Sequence, residues 1–403
     1  MTSRRQLLQA AVAAGSPALL GQAPHRERSG KLLAYVGTYS SPEGPEGSRG
    51  NGEGIYLFAV DPATGALTQK EVFRNPANPS WLALDPSRTH LYSGNEVGNF
   101  EGSSGSVSAY AIDRASGRLT PLNTVSSQGA GPAHISVHPS GRYVLAANYA
   151  GGTIAVIPIR ANGELAAATD VKHDEGSLGP AHATSAPPGS FASSGHDSPH
   201  PHMIHSDPGG RFVISTDLAQ DRIYIWKLDL ESGKLSPNDP PSVPVPPGDG
   251  PRHFAFHPSG RWMYSLQEEG STLITFDYDA ASGRLTAKHT VSTLPKGFAG
   301  TNFTSEVAIS PDARFVYAAN RLHDSIAWFA IGPSGTLTPG GEAATRGDYP
   351  RSFTIDPAGS FLYSCNQRGD AIATFRIDKQ TGALTFTGRY TPVGTPAVIV
   401  FLT

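Results

Sequence analysis

Arg252 and Glu268 stand sixteen residues apart, on either side of a His257-Pro258-Ser259-Gly260-Arg261 turn. A guanidinium can grip a carboxylate or phosphate and stabilise charge developing on a carbonyl oxygen. A carboxylate or imidazole held at hydrogen-bond distance can take the proton from an attacking water. Such roles need groups from several parts of a chain at one place, so the question is which fold would gather them.

The pair brackets two short apolar runs, His253–Phe256 and Trp262–Leu266. A third run, Thr272–Tyr278, alternates residue types, and Ala281-Ser282-Gly283-Arg284-Leu285 turns the chain into a fourth. Runs of this length, aromatic and β-branched and set off by Pro-Gly turns, read as strands. Pro251 to Asp279 is therefore the body of a four-stranded antiparallel unit.

The unit recurs. Its first turn carries a proline at Pro86, Pro139, Pro208, Pro258, Pro311 and Pro357, in steps of 53, 69, 50, 53 and 46 residues. The long step holds an insertion at about 173–199, rich in Gly, Ser, Ala and Pro. A second turn recurs as Thr64-Gly65, Ser116-Gly117, Ser232-Gly233, Ser282-Gly283 and Thr381-Gly382. Four strands in a repeat of about 50 residues are the signature of β-propeller blades. Six units are complete. Leu32–Tyr39, Gly54–Val60 and Leu67–Val72 supply three strands of a seventh, and the apolar run Ala397–Leu402 is expected to complete it, leaving no sheet edge unpaired. The expected fold is all-β: one seven-bladed propeller over residues 31–403, closed by the C-terminal strand.

Counting from each turn proline aligns the blades. Six residues before it, at the start of the inner strand, stand Ser80, Ala133, His202, Arg252, Ser305 and Arg351. Ten residues after it, at the end of the second strand, stand Glu96, Tyr149, Leu218, Glu268, Arg321 and Gln367, preceded by Asn95, Asn148, Asp217, Gln267, Asn320 and Asn366. In an antiparallel hairpin the start of one strand and the end of the next share an end. Both columns thus belong at the mouth of the central channel. His202, Arg252, Glu268, Arg321 and Arg351 come from blades four to seven and are expected on one side of it, with Glu96 further round. Such a gathering of ionisable groups favours a site over scattered surface pairs. An arginine neighbour lowers the pKa of Glu268, which makes His202 the better of the two candidate bases.

Other chemistries recede. Nothing matches Gly-x-Ser-x-Gly, His-Glu-x-x-His or a phosphate-cradling glycine loop. Asp217 to Asp221 reads as a turn between strands. His173, His182, His196, His200, His202 and His205 are dense but lack metal-ligand spacing. Cys365 is the single cysteine, which rules out an internal disulfide. A net charge of −3 gives no footprint for nucleic acid. Low charge (16%) with 45 Gly and 34 Pro suits many short strands joined by tight turns. At the N-terminus, Ser3-Arg4-Arg5-Gln6-Leu7-Leu8, an apolar stretch from Ala10 to Leu20 and a Gly21-Gln22-Ala23 cleavage site read as a twin-arginine export signal over residues 1–23, with a linker over 24–30. The expectation is a periplasmic or secreted protein with no membrane span after processing, and a monomer.

The chain resembles the seven-bladed propeller lactonases of the 6-phosphogluconolactonase type, relatives of the fungal carboxymuconate-cyclising enzymes. The resemblance rests on Val36-Gly37-Thr38-Tyr39, Asn78-Pro79-Ser80, Asn95-Glu96, Asn148-Tyr149-Ala150-Gly151-Gly152, Pro199-His200-Pro201-His202, Asp217-Leu218, Gly250-Pro251-Arg252-His253, Asn320-Arg321 and Tyr349-Pro350-Arg351. It implies catalytic roles for His202, Arg252, Glu268 and Arg321, the residues the register already brings together. Glu96, Asn148, His200, Asp217, Asn320 and Arg351 would bind substrate. The chain departs from the family where Asp197-Ser198 replaces an Arg-Gln pair and Ala219 replaces a glycine. The function implied is hydrolysis of an anionic or sugar-acid lactone, with no metal or organic cofactor required. A non-catalytic propeller binding an anionic ligand, and a lactone-forming cyclase, are the alternatives.

Overall fold

The computed structural model describes residues 32–42, 49–191 and 193–403. They form twenty-eight strands, β1 to β28 in chain order, in seven four-stranded antiparallel sheets. The export signal and linker expected at 1–30 lie outside the described residues. The first sheet runs β28-β1-β2-β3, so Pro396–Leu402 (β28) pairs with Leu33–Thr38 (β1) in the register Leu33↔Leu402 to Gly37↔Val398. That is the closure the terminal runs predicted.

Each sheet places its shortest path to the axis in its inner strand. These are β28, β4 (Pro79–Leu84), β8 (Pro132–Val137), β12 (Pro201–Ser206), β16 (Pro251–Phe256), β20 (Thr304–Ile309) and β24 (Pro350–Ile355). Each touches the next, and β24 returns to β28, so the inner strands form a complete ring. The turn after each inner strand needs a left-handed residue two positions past its proline. Gly141, Gly210, Gly260 and Gly359 supply it at φ 65–69°, where only glycine is free of a Cβ penalty. Arg88 and Ala313 carry the same conformation in the remaining blades.

Apolar side chains from facing sheets fill the space between blades. Phe212, Ile214 and Ile225 of one sheet, for example, pack on Phe254, Met263 and Phe276 of the next. Buried tyrosines lock the blades by donating to a turn-glycine carbonyl next door: Tyr35 to Gly117 (2.7 Å), Tyr264 to Gly335 (3.1 Å) and Tyr317 to Gly382 (2.9 Å). A buried hydroxyl needs such a partner.

Two departures from regular pairing matter for the site. Every inner strand from β4 to β24 carries a register shift near its start, as between Pro201 and Met203 in β12. A bulge of this kind suspends the alternation of side chains and lets consecutive residues face the same way. The insertion follows β11 (Asp170–His173), and its described residues form no further strand. It is tied down by hydrogen bonds from Gln220 Nε2 to the carbonyls of Asp174 and Gly176 (3.0 Å each), from Gly179 N to Ala219 O (2.7 Å) and from Gly300 N to Pro188 O (2.8 Å).

Candidate active site

At the mouth of the ring lies a cavity of about 330 Å³ whose walls include Glu96, Tyr149, His202, Glu268, Arg321 and Arg351. These residues come from six blades, two to seven. The expectation of a cluster on one side of the mouth is therefore corrected: the inner strands lie so close to the axis that the charged groups encircle it. Arg351 from blade seven already reaches Glu96 of blade two, at 3.6 Å.

The centre of the arrangement is Glu268, just past β17 (Trp262–Gln267). Its Oε2 meets Arg252 Nε at 2.8 Å and Arg321 Nη2 at 2.6 Å, all three side chains being buried. Arg252 lies behind Glu268, where it also donates to the Ser305 carbonyl, and does not form the cavity wall. Arg321 does, and it is braced by Tyr349 Oη (3.2 Å) and the Thr304 carbonyl (3.3 Å). Burial alone would raise the Glu268 carboxyl, but Arg321 and Arg252 outweigh it and hold the group below its ordinary value. Burial, with Arg351 and Arg321 nearby, lowers Arg252 to about 9, so it is still a cation at neutral pH. Glu96 is held differently: its Oε2 accepts from Tyr39 (2.8 Å) and Ser80 (2.6 Å).

His202 is the neutral member. Burial first, and the Arg252 charge second, push its imidazole well below 6.5. Its Nδ1 is sealed in the interior without a hydrogen-bond partner, so Nε2 is the nitrogen on the cavity side. The ring sits edge-on to Tyr149 (5.4 Å between centroids) and to His253 (5.0 Å).

Beneath the mouth the bulged inner strands build a floor from the residues one step further along. His253 touches His134 (5.6 Å) and Trp81 (5.1 Å), contacts between blades that are not neighbours and so possible only at the axis. Its Nδ1 lies 3.2 Å from Glu306 Oε1. Burial pushes Glu306 up to about 8 and His253 well below 6.5, so the pair is neutral near pH 7 with the proton on Glu306. This floor was missed in the sequence. The column five residues before each proline (Trp81, His134, Met203, His253, Glu306, Ser352) carried the signal, but strict alternation would have turned it away from the channel.

Four expected substrate-binding residues are not brought to the cavity. Asn148 donates to the Ser127 carbonyl (2.7 Å) and to Thr153 Oγ1 (2.9 Å). Asn320 donates to the Thr293 carbonyl and Ser325 Oγ and accepts from Thr293 Oγ1 and Asn302 Nδ2, all at 2.8–3.1 Å. Asp217 accepts from Gln220 N (3.0 Å) and neighbours Asp174; burial raises both carboxyls, and the Asp217 charge raises Asp174 further. These three end their strands, one residue before the column that lines the mouth, and the period of two points them the other way. His200 sits behind Tyr149, with Nδ1 on the Tyr149 carbonyl (2.8 Å) and Nε2 on Asp197 (3.0 Å). Asn320→Ala should therefore lower stability by about 2–4 kcal/mol, as four buried hydrogen bonds are lost, while kcat/KM of the folded variant stays at the parent value. A raised KM at an unchanged Tm would put Asn320 in the site after all.

The dense histidines are dispersed rather than gathered. His196 pairs with Glu269 (3.2 Å), His200 with Asp197, and His205 with the Ser206 carbonyl (2.7 Å). A second, larger cavity of about 750 Å³ is walled mainly by Pro187, Pro188, Val291, Leu294, Phe298 and Phe329. Its ionisable lining is Glu342 and Lys296, without the carboxylate, guanidinium and imidazole groups that the mouth brings together.

Comparison with known proteins agrees with this fold. A sequence model of the family described as "Lactonase, 7-bladed beta-propeller" matches residues 33–401. The chain is 34% identical over 373 residues to a 6-phosphogluconolactonase of Bacillus subtilis (strain 168), covering 92% of this chain and 99% of the relative. It is 31% identical over 365 residues to a 6-phosphogluconolactonase of Serratia proteamaculans (strain 568), covering 90% and 96%. Among solved structures, the periplasmic gluconolactonase of Pseudomonas aeruginosa superposes with a TM-score of 0.83 at 30% identity, over 92% of this chain and 99% of that one.

Proposed function

The chain belongs to the seven-bladed β-propeller lactonase family, and from that premise we propose that it hydrolyses a sugar-acid lactone in the mouth cavity. The observation that carries this is the union of Glu268 with Arg252 and Arg321 beside a neutral His202. Arg321 holds the lactone carbonyl and stabilises the oxyanion formed when water adds. His202 Nε2 takes the proton from that water. As the acyl C–O bond breaks, the imidazolium returns the proton to the ring oxygen, giving a hydroxyl and a carboxylic acid, which releases its own proton to solvent as the carboxylate leaves. Burial and Arg252 disfavour the imidazolium, which makes it a ready acid at that step. Glu268 is committed to two guanidiniums and serves as their shared counter-ion, which leaves the base to His202.

The charge balance narrows the substrate. Arg252, Arg321 and Arg351 face Glu268 and Glu96 as ion pairs. A phosphoryl dianion would have to compete with two carboxylates for the same guanidiniums, whereas a neutral or singly charged aldonolactone need not. An unphosphorylated substrate also suits export through the twin-arginine signal read at residues 1–23, and the Pseudomonas aeruginosa neighbour is a periplasmic gluconolactonase. The test is base consumption in a pH-stat with a panel of phosphorylated and unphosphorylated aldonolactones. The expected result is turnover with kcat/KM highest for the unphosphorylated members. Preference for the phosphorylated lactone would overturn the substrate assignment, and no turnover of any lactone would overturn the function.

A further inference from the structure

Tyr149 occupies the same register position as Glu268 and Arg321 and lines the mouth cavity. It closes the Asn148-Tyr149 motif, to which the mechanism above gives no role. We propose that its hydroxyl is a substrate-touching donor of this site, and that the inserted segment holds it there through Asp197 and His200. The proposal rests on the lactonase reading.

The geometry runs from the insertion inward. Asp197 Oδ1 lies 3.0 Å from His200 Nε2, and His200 Nδ1 lies 2.8 Å from the Tyr149 carbonyl. Both ring nitrogens are thus engaged, which favours one orientation of the imidazole. The phenol lies flat on that fixed ring, at 4.3 Å between centroids and 14° between planes. Its edge meets His202, so the imidazole that handles the proton and the hydroxyl proposed as donor share one wall. Gly195 of the insertion backs this wall: a Cβ there would stand 2.6 Å from Tyr149 Oη and 2.5 Å from His200 Cδ2. Absence of a side chain at 195 is what lets the segment close against the tyrosine.

Burial, with the Glu268 charge adding to it, keeps the phenol protonated well past neutral pH, so it acts as a donor. During hydrolysis the hydroxyl donates to the lactone ring oxygen as the acyl C–O bond breaks. The proton that stays on that oxygen comes from the His202 imidazolium, and the phenol keeps its own. Asp197 and His200 are positioning residues.

The experiment compares the parent, Tyr149→Phe, Asp197→Asn and the double variant, with turnover of δ-gluconolactone in a pH-stat and affinity for gluconate by calorimetry. Tyr149→Phe removes the hydroxyl and keeps the ring stacked on His200, so it should melt near the parent temperature. It should lower kcat by about tenfold or more, the scale of one lost hydrogen bond in a dry site. Asp197→Asn should lower kcat less, and should cost nothing further in the Tyr149→Phe background, because both changes act through one hydroxyl. Parental kcat/KM for Tyr149→Phe, or additive losses in the double variant, would overturn the proposal. A parent inert toward every lactone would instead sink the function beneath it. In that case equal gluconate affinity in parent and Tyr149→Phe rejects the tyrosine as well, while weaker binding by the variant keeps it as a ligand contact.

Discussion

Glu268→Gln is expected to lower kcat/KM for lactone hydrolysis by about 10²–10³-fold and to destabilise the fold by about 3–5 kcal/mol. The reason is that one carboxylate oxygen serves two guanidiniums, at 2.8 and 2.6 Å, in a place with almost no solvent. A glutamine of the same shape leaves Arg252 and Arg321 as uncompensated buried cations. Arg252, already lowered to about 9 by burial and by its arginine neighbours, has the most to lose. Arg321 then shifts away from its place, and the oxyanion loses its preorganised partner. Turnover should be measured below the variant's melting temperature, with Tm followed by calorimetry. A variant that melts like the parent but is inactive would make Glu268 a chemical group rather than a counter-ion. One that is both stable and active would remove it from the site.

His202→Gln is expected to lower kcat by about 10²–10⁴-fold, the usual worth of a positioned general base, and the parent's pH profile should carry its mark. Because burial and Arg252 hold the imidazole well below 6.5, it stays neutral as the solution is acidified. The acid limb of kcat/KM should therefore lie well under pH 6.5, where an ordinary histidine would already be half protonated. The same shift affects stability with a definite sign. Below 6.5 the unfolded chain binds a proton on this histidine that the folded chain refuses, so acidification favours unfolding. His202→Gln should remove that contribution, up to about 1.4 kcal/mol per pH unit below 6.5. Glu306, raised to about 8, works in the opposite sense: its contribution is complete below the ordinary carboxyl value and is lost as pH rises through 8. An acid limb at 6.5, or acid sensitivity unchanged in the variant, would mean that His202 is not the neutral buried base.

The fold was legible because its repeat is written in residues with few alternatives. A proline at fixed spacing marks each inner turn, with a left-handed glycine two residues on in four of the six, and an apolar C-terminal run with no partner in its own neighbourhood has to pair with β1. The rim was legible as well, since hairpin geometry alone sends Arg252 and Glu268 to one end of their blade. Its depth was not. Whether residue 267 or 268 faces the mouth, or 320 rather than 321, depends on the strand's final twist, so Asn148, Asp217 and Asn320 were expected in the cavity and instead fasten turns. The floor of His134, His253, Glu306 and Trp81 depends on the inner-strand bulge, which begins at the opening proline of five of these strands (Pro79, Pro132, Pro201, Pro251 and Pro350), a proline that reads equally as an ordinary strand start. The insertion was visible as a composition change, but its contacts are made by scattered polar atoms without a period. Its hold on Tyr149 could only be seen in three dimensions.

The most direct measurement is a crystal structure of the parent protein soaked with gluconate, the ring-opened product of the proposed reaction. The carboxylate is predicted in the 330 Å³ mouth cavity, against Arg321 and within hydrogen-bond reach of His202 Nε2. Gluconate seated in the 750 Å³ cavity beside Phe298 and Phe329, with the mouth empty, would contradict the assignment of the site.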